Sequence, residues 1–136
     1  MAAAMASILV TAFASSPALA QEGFRSPSGN IHCQFFAADG DATIRCDLRQ
    51  ITNRPAPRPR DCDLEWGKAF EISGRAGRGS LLCHGDTVQD PRLPALAYGQ
   101  TWQRAGLTCL SEETGVSCRN ARGHGFTLSR AAQWVF

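Results

Sequence analysis

The chain has 136 residues, with 14 Lys and Arg against 12 Asp and Glu, and a formal net charge of +2. This balance argues against a nucleic-acid-binding domain, which would show a clearly basic patch or a strongly basic overall charge. The length suits one domain, and after the first 20 residues no segment is apolar enough to span a membrane.

The first 20 residues have the features of a secretory signal peptide. They contain no charge, Ile8-Leu9-Val10 lies among alanines, and the segment ends in Ala18-Leu19-Ala20. Small residues at the first and third positions of that triplet suit signal peptidase, although no Lys or Arg precedes the apolar run. The run is also shorter than the roughly 20 residues of a membrane span. We expect cleavage after Ala20, a single domain over residues 21–136, and a periplasmic or extracellular location.

Six cysteines predict a covalent framework of three disulfides. Export to an oxidising compartment makes disulfides the default state. A zinc site would favour ligand pairs at spacings such as C-x2-C, and no two cysteines are that close. The six are Cys33, Cys46, Cys62, Cys83, Cys109 and Cys118.

Asp39-Gly40 lies between two β-prone runs, residues 31–36 and 43–48, and predicts a hairpin. A type I′ turn requires positive φ at both central residues, which Asp and Gly tolerate. Counting outward from this turn places Cys33 directly opposite Cys46, at a separation that a disulfide accepts. We therefore predict a Cys33–Cys46 bridge.

A second hairpin is predicted between Cys109 and Cys118, with Gly115 at or just after its turn. The two cysteines again flank the turn, which favours their pairing. Cys62 is then left to pair with Cys83. In the chain-entropy model each such loop contributes about 3 kcal/mol, so three disulfides together rival the whole stability of a typical domain, about 5–15 kcal/mol.

Short strand-like runs continue between Gly-rich turns, at residues 69–72, 80–83, 108–110, 115–119, 126–129 and 134–136. Strands at intervals of roughly 8–12 residues predict an all-β domain, a small antiparallel sandwich or barrel-like fold built from hairpins. The proline-rich stretch 54–60 is unsuited to a central strand because proline lacks an amide donor. We expect it to form an extended connector after the first hairpin.

Two histidines lie in settings that suit chemistry. His84 precedes Asp86 by two residues, and His124 lies between two glycines. A His–Asp pair can act as base and orienter for a nucleophile such as Ser80 or Ser129. No G-x-S-x-G elbow accompanies these residues, and Asp86 also suits a turn. We therefore predict no catalytic residue, no metal site and no cofactor.

Candidate binding residues comprise aromatic, polar and arginine side chains. The tryptophans and the single tyrosine combine a ring with a hydrogen-bonding tip. On one exposed face they would bind a sugar or a protein, whereas apart from each other they would be core residues. Arginines of the carboxy-terminal third, Arg104 and Arg122 among them, would recognise carboxylates or phosphates if they clustered. The candidates are Trp66, Tyr98, Trp102, Trp134, His84, Asp86, His124, Arg119 and Arg130.

An ordered set of short motifs extends along the chain: SPSGNIHC at 26–33, RCDL at 45–48, CHGDT at 83–87, YG at 98–99, GVSCRN at 115–120 and GHGFTLSR at 123–130. This set resembles a family of small exported bacterial six-cysteine proteins that is classed as a domain of unknown function. The resemblance covers nearly the whole chain after residue 20. It implies an exported, cysteine-bridged β domain and implies no activity.

Together these features predict a non-catalytic binding or interaction module of the cell envelope or secretome. Its partner would be an extracytoplasmic protein or a glycan, and we expect a monomer. A rigid disulfide-braced loop would also suit an inhibitor of an extracellular hydrolase such as lysozyme or a protease. An enzyme that uses His84 and Asp86, or His124, is the third alternative.

Overall fold

The computed structural model describes residues 2–3, 5, 7–12 and 22–136. The predicted cleavage site after Ala20 lies outside these residues. In the described part of the chain, no helix is long and apolar enough to cross a membrane. From residue 22 onward the regular structure consists of strands, so the all-β prediction is confirmed.

Within residues 22–136 the strands form two five-stranded antiparallel sheets, each in simple chain order. Sheet A consists of β1 (Gly23–Arg25), β2 (Ile31–Ala38), β3 (Asp41–Leu48), β4 (Ala69–Ser73) and β5 (Ser80–Leu81). Sheet B consists of β6 (Thr101–Arg104), β7 (Leu107–Glu112), β8 (Gly115–Arg119), β9 (Gly125–Leu128) and β10 (Gln133–Val135). One hydrophobic core contains residues of both sheets, so the domain is a sandwich.

The core is formed by the inward side chains of alternating strand residues. Phe70 of β4 and Phe126 of β9 meet across the two sheets, with ring centroids 6.2 Å apart. Ile44 and Leu128 are fully buried beside them. Each large apolar side chain contributes about 1.5–3 kcal/mol when it is buried, and this burial drives the two sheets together.

Two disulfides lie within this core and face each other across the sandwich. Cys33–Cys46 joins β2 to β3 and Cys109–Cys118 joins β7 to β8, each with Cα atoms 4.0 Å apart. All four cysteines are fully buried. The Sγ atoms of Cys46 and Cys118 are 3.8 Å apart, so the bridges pack against each other. Both predicted pairings are confirmed.

Both predicted hairpin turns are present. Asp39 and Gly40 have φ angles of 53° and 75°, as a type I′ turn requires, and Cys33 pairs with Cys46 in the ladder. In the second hairpin Glu112 pairs with Gly115, so the glycine directly follows the turn. A Cβ atom on Gly115 would lie 1.9 Å from the carbonyl oxygen of Leu128. Only glycine fits there.

A third two-residue hairpin turn, Ala105-Gly106, joins β6 to β7 and was not predicted. Its φ angles are 51° and 79°, both in the left-handed region. Alanine is disfavoured in that region because its Cβ approaches the following carbonyl oxygen. The dipeptide Ala-Gly is therefore a weak turn signal, and β6 was missed together with the turn.

Replacing Ala105 with asparagine is expected to raise the free energy of unfolding by about 1 kcal/mol, because asparagine tolerates the left-handed conformation better than alanine does. Urea unfolding with an unchanged m-value would measure the gain. Ala121 is an exposed alanine that does not have a positive φ angle. Ala121→Asn is therefore the matched control, and it should not raise the free energy of unfolding. Equal stability of Ala105→Asn and the parent protein would contradict the strain argument.

Candidate functional site

An irregular segment, residues 82–95, covers part of the outer face of sheet A. Outward side chains of the sheet hold it in place. The side-chain amide of Gln34 donates to the carbonyl oxygen of Val88 at 3.0 Å. The buried ring of His32 accepts the amide of Asp90 at Nδ1 (3.0 Å) and donates from Nε2 to the carbonyl oxygen of Gly29 (2.9 Å). His32 therefore has a structural role.

The strongest attachment of this segment is a buried ion pair on β3. Asp47 is 2% exposed. Its carboxylate accepts from Arg45 Nε at 2.9 Å and Arg45 Nη2 at 3.1 Å, a bidentate contact. The same carboxylate accepts from Thr87 Oγ1 at 2.9 Å and from the amide of Val88 at 3.1 Å. One buried charge thus ties the sheet to the covering segment.

Arg45 extends this network to the surface. Its Nη1 lies 3.0 Å from Asp86 Oδ1 and its Nη2 lies 3.1 Å from the carbonyl oxygen of Asp86. The hydrogen bond from Arg45 lowers the pKa of Asp86. Burial opposes the charge of Arg45, but the carboxylates of Asp47 and Asp86 outweigh that effect and raise the arginine's pKa. Arg45 and Asp86 are therefore both charged at neutral pH.

The third predicted disulfide, Cys62–Cys83, is confirmed and lies outside the core. It connects the segment before β4 to the segment after β5, with Cα atoms 5.7 Å apart. Next to it, Glu65 and His84 form an isolated β-bridge with backbone hydrogen bonds of 2.9 and 3.1 Å. The disulfide and the bridge fix two irregular segments against each other.

These two segments form the walls of a cleft of about 310 Å³. Trp66 and Lys68 belong to one wall and His84 to Asp86 belong to the other. The Nε1 atom of Trp66 is buried and has no hydrogen-bond partner among the described residues. The complete lining is Asp47, Leu48, Glu65, Trp66, Lys68, His84, Gly85, Asp86, Thr87 and Gln89.

Further depressions adjoin the cleft on both sides and share lining residues with it. Beyond His84 and Asp86 lies one of about 530 Å³, which also contains Arg45 and Glu71. Beyond Trp66 and Lys68 lies one of about 450 Å³, which leads to Arg49 and Gln50. Those two residues also line a smaller cavity of about 110 Å³. We call this continuous series of depressions the sheet A groove.

The two ends of the groove differ in charge: carboxylates and Arg45 line one end, whereas the charged residues of the other end are all basic. Asp86 and Glu71 lie at one end, whereas Lys68 and Arg49 lie toward the other. Glu71 pairs with Arg45 across β3 and β4. Burial raises the pKa of Glu71, and the positive charge of Arg45 offsets part of this effect.

The raised pKa of Glu71 predicts a pH-dependent stability. Above its ordinary value of 4.5 the unfolded chain loses the Glu71 proton first, so the free energy of unfolding falls as the pH rises through the raised value. Glu71→Gln cannot ionise and should lack this decrease. Urea unfolding between about pH 4 and pH 7 tests it. The exposed Glu113→Gln is the control, and parallel profiles for Glu71→Gln and the parent protein would refute the assignment.

The structure brings His84 and Asp86 together but not as a base and its orienter. The Asp86 carboxylate contacts Arg45, while His84 Nδ1 contacts the backbone carbonyl oxygen of Asp86. Because a carbonyl oxygen only accepts, Nδ1 is the donor in this contact. His124 lies apart from this groove, in the β8–β9 loop, where its amide donates to Asn120 Oδ1 at 3.1 Å.

The four predicted aromatic residues do not share one surface. Trp66 lines the cleft, and Trp102 packs beside Phe24 with ring centroids 6.0 Å apart. Trp134 is 65% exposed on β10, and Tyr98 is 47% exposed just before β6. Because β6 and β10 are opposite edges of sheet B, four strand spacings of about 4.8 Å each separate them. The four residues therefore neither share one exposed face nor all lie in the core.

The carboxy-terminal arginines also lie apart. Arg104 stacks on the Phe35 ring, with its guanidinium carbon 4.2 Å from the ring centroid. Arg122 donates to the carbonyl oxygen of Arg75, and Arg119 is exposed on β8. Arg130 lines the small cavity at the end of the groove, together with Arg49 and Gln50.

Sequence reasoning missed most of the polar residues that build the groove. Arg45 and Asp47 flank Cys46, and Cys46 was predicted to face a partner cysteine. Since neighbouring strand residues point to opposite faces, the two charges had to share the outer face. The position of Cys46 thus already indicated that Arg45 and Asp47 lie on the outer face of the sheet. The contributions of Lys68, Glu71 and Arg49 had no comparable local signal.

The fold and its groove define a disulfide-bonded antiparallel β-sandwich with a polar, preformed recess on one outer face. The family model of DUF6636, a family of unknown function, matches residues 4–136. The chain belongs to this family, which agrees with the predicted resemblance to a domain of unknown function. Neither a curated protein nor a solved structure matched the chain.

Proposed function

We propose that this protein is a non-catalytic extracytoplasmic binding module that holds a glycan in the sheet A groove. The observation that carries the proposal is the cleft of about 310 Å³ beside Trp66. Export is supported by the apolar, uncharged start of the chain and by three disulfides, which persist in oxidising compartments.

The walls of the cleft are rigid although they contain little regular structure. One disulfide, one β-bridge and the Arg45–Asp86 contact hold them. A preformed site avoids the free-energy cost of ordering loops when a ligand binds. Loops held on a rigid scaffold are also the usual location of binding residues. The covalent bracing of this face therefore supports a role in recognition.

The chemistry of the cleft suits a sugar. Trp66 offers an indole ring as part of the cleft wall. The ring can pack against the apolar face of a sugar, because an aromatic side chain offers a large apolar surface. Gln89 and Lys68 supply hydrogen-bonding side chains in the same cleft.

The geometry also supports the absence of catalysis at the predicted pair. A histidine base is normally oriented by a carboxylate on its second nitrogen. Here the Asp86 carboxylate pairs with Arg45, and His84 Nδ1 contacts the backbone carbonyl oxygen of Asp86 instead of the carboxylate. In this arrangement His84 and Asp86 form part of the wall of the cleft.

Titration of the purified exported protein with soluble peptidoglycan fragments and with chito-oligosaccharides tests the proposal. Tryptophan fluorescence and NMR shifts of residues 65–68 and 84–87 should show saturable binding. Trp66→Ala removes the ring and should weaken binding about tenfold, because the sugar loses the apolar surface against which it packs.

Trp134→Ala is the matched control, because Trp134 is exposed on sheet B and lines no part of the groove as defined above. It should bind as the parent protein does. No saccharide binding at millimolar concentration, or equal losses for the two variants, would overturn the proposed function.

A further inference from the structure

We propose that the cavity at the end of the sheet A groove binds an oxyanion, a carboxylate, phosphate or sulfate group, between Arg49 and Arg130. The inference deepens the proposed function, because it assigns a negative charge to the glycan that the groove would hold. Its first test uses free anions and does not depend on the glycan.

The cavity has the size of a small anion. Its volume is about 110 Å³, too small for a sugar ring with its substituents. The lining is almost entirely polar and consists of Ser28, Gly29, Asn30, Arg49, Gln50 and Arg130.

A buried asparagine fixes one side of the site. Asn30 is 7% exposed. Its Nδ2 donates to the carbonyl oxygen of Gln50 at 3.1 Å, and the amide of Gln50 donates to its Oδ1 at 3.0 Å. The amide of Arg49 donates to the Asn30 carbonyl oxygen at 2.8 Å. Asn30 thus acts as a short strand partner: its side chain holds the backbone of Gln50 and its backbone carbonyl holds the amide of Arg49.

A second contact brings Arg130 to the same place from the far end of the chain. The amide of Thr52 donates to the carbonyl oxygen of Arg130 at 2.8 Å, and Thr52 Oγ1 lies 3.3 Å from the same oxygen. The β9–β10 connection is thereby attached to the exit of β3. Two arginine residues that are 81 positions apart in the numbering thus line one small cavity.

Both guanidinium groups lack an internal counter-charge. In residues 22–136, neither Arg49 nor Arg130 is within 4.0 Å of a carboxylate; the ion pairs there involve Arg45, Arg92 and Arg104. Two like charges at one cavity repel each other, and a shared oxyanion would relieve that repulsion. Guanidinium groups bind carboxylate and phosphate oxygens through paired, charge-assisted hydrogen bonds.

Ser28 completes the donor set. Its hydroxyl accepts the amide of Asn30 at 3.2 Å and lies 3.2 Å from Ser26 Oγ. The hydroxyl proton is free to turn toward either Ser26 or an anion. The motifs SPSGN and TLSR of the sequence thus meet at this cavity, and neither contributes to the cleft beside Trp66.

The position of the cavity indicates which kind of ligand would carry the anionic group. Arg49 and Gln50 also line the depression that contains Trp66 and Lys68. A ligand that lies beside Trp66 would therefore reach the anion site with an adjacent group. A glycan that carries a carboxylate, phosphate or sulfate fits this arrangement.

Titration of the purified protein with sodium phosphate, sulfate and acetate at constant ionic strength tests the site. Amide NMR shifts should saturate and be confined to residues 28–30, 49–50 and 130. Arg49→Gln and Arg130→Gln should each weaken binding of at least one anion about tenfold. Both side chains are exposed and the surrounding hydrogen bonds use backbone atoms, so the variants should fold.

Arg119→Gln is the matched control, since Arg119 is exposed on sheet B outside the groove. It should leave anion binding unchanged. Shifts that rise linearly without saturation, or an equal loss for Arg119→Gln, would reduce the effect to general charge screening and overturn the proposal.

A second arm separates this inference from the proposed function. An acidic oligosaccharide should bind about tenfold more tightly than its neutral counterpart, and the Arg49→Gln/Arg130→Gln double variant should bind both equally. Glycan binding without this preference overturns the anion site alone. Free-anion binding without any glycan binding overturns the proposed function and leaves the anion site standing.

Discussion

Replacing Asp47 with alanine is expected to lower the free energy of unfolding by about 3–5 kcal/mol, the usual cost of removing one partner of a buried ion pair. The carboxylate is almost completely buried and accepts four hydrogen bonds. Its removal leaves the mostly buried Arg45 side chain without its bidentate partner and releases Thr87 and Val88 from the sheet. The cleft should be lost with them.

Urea unfolding measures the stability change, and saccharide titration measures the loss of the cleft. Asp90→Ala is the control, because its carboxylate pairs with Arg92 at the surface and surface pairs contribute little. Asp47→Asn keeps the shape but removes the charge, so it should lie between the parent protein and the alanine variant. A small effect of Asp47→Ala, comparable with that of Asp90→Ala, would show that the network does not hold the covering segment.

The Cys33→Ala/Cys46→Ala double variant is expected to lose about 3–5 kcal/mol, the upper part of the range for native disulfides. Loop entropy accounts for about 3 kcal/mol of this. The remainder comes from packing, because both sulfurs are buried and the Cys46 Sγ lies 3.8 Å from that of Cys118. Deleting buried atoms leaves a cavity that the surrounding core only partly fills.

Comparison with the Cys62→Ala/Cys83→Ala variant separates the loop-entropy contribution to the free energy of unfolding from the contribution of core packing. Its loop is longer, with a separation of 21 against 13. The chain-entropy model would therefore make its loss larger by about 0.4 kcal/mol. Because Cys83 is exposed, we expect the Cys62→Ala/Cys83→Ala variant to lose less stability than the Cys33→Ala/Cys46→Ala variant. We also expect it to lose more ligand binding. If the outer disulfide cost more stability, loop entropy and not core packing would dominate.

The hairpins were predictable because their signals are local. Asp39-Gly40 tolerates the positive φ angles of its turn, and counting from it gave the register that pairs Cys33 with Cys46. The outer disulfide followed by elimination once the two hairpins were assigned. β6 and its turn were missed because Ala105 adopts a conformation that alanine disfavours, and only pairing with β7 stabilises it.

The groove was less predictable, because its residues come together from distant parts of the chain. His84 and Asp86 were predicted as a pair and do lie side by side. Their roles changed because Arg45, some 40 residues earlier, takes the carboxylate. Trp66 was predicted as one of four aromatic residues, and only its packing against residues 84–87 separates it from the others.

By itself the sequence determined the all-β class, the two hairpins and the three disulfide pairings, because turns and cysteine registers depend on neighbouring residues. It also predicts an export signal. The tertiary structure alone decided which outer face became a site. Every exposed strand carries polar residues, and a sequence does not indicate which of them a later segment will cover. Here residues 82–95 fold over Arg45 and Asp47, and that contact turns an ordinary polar face into a groove.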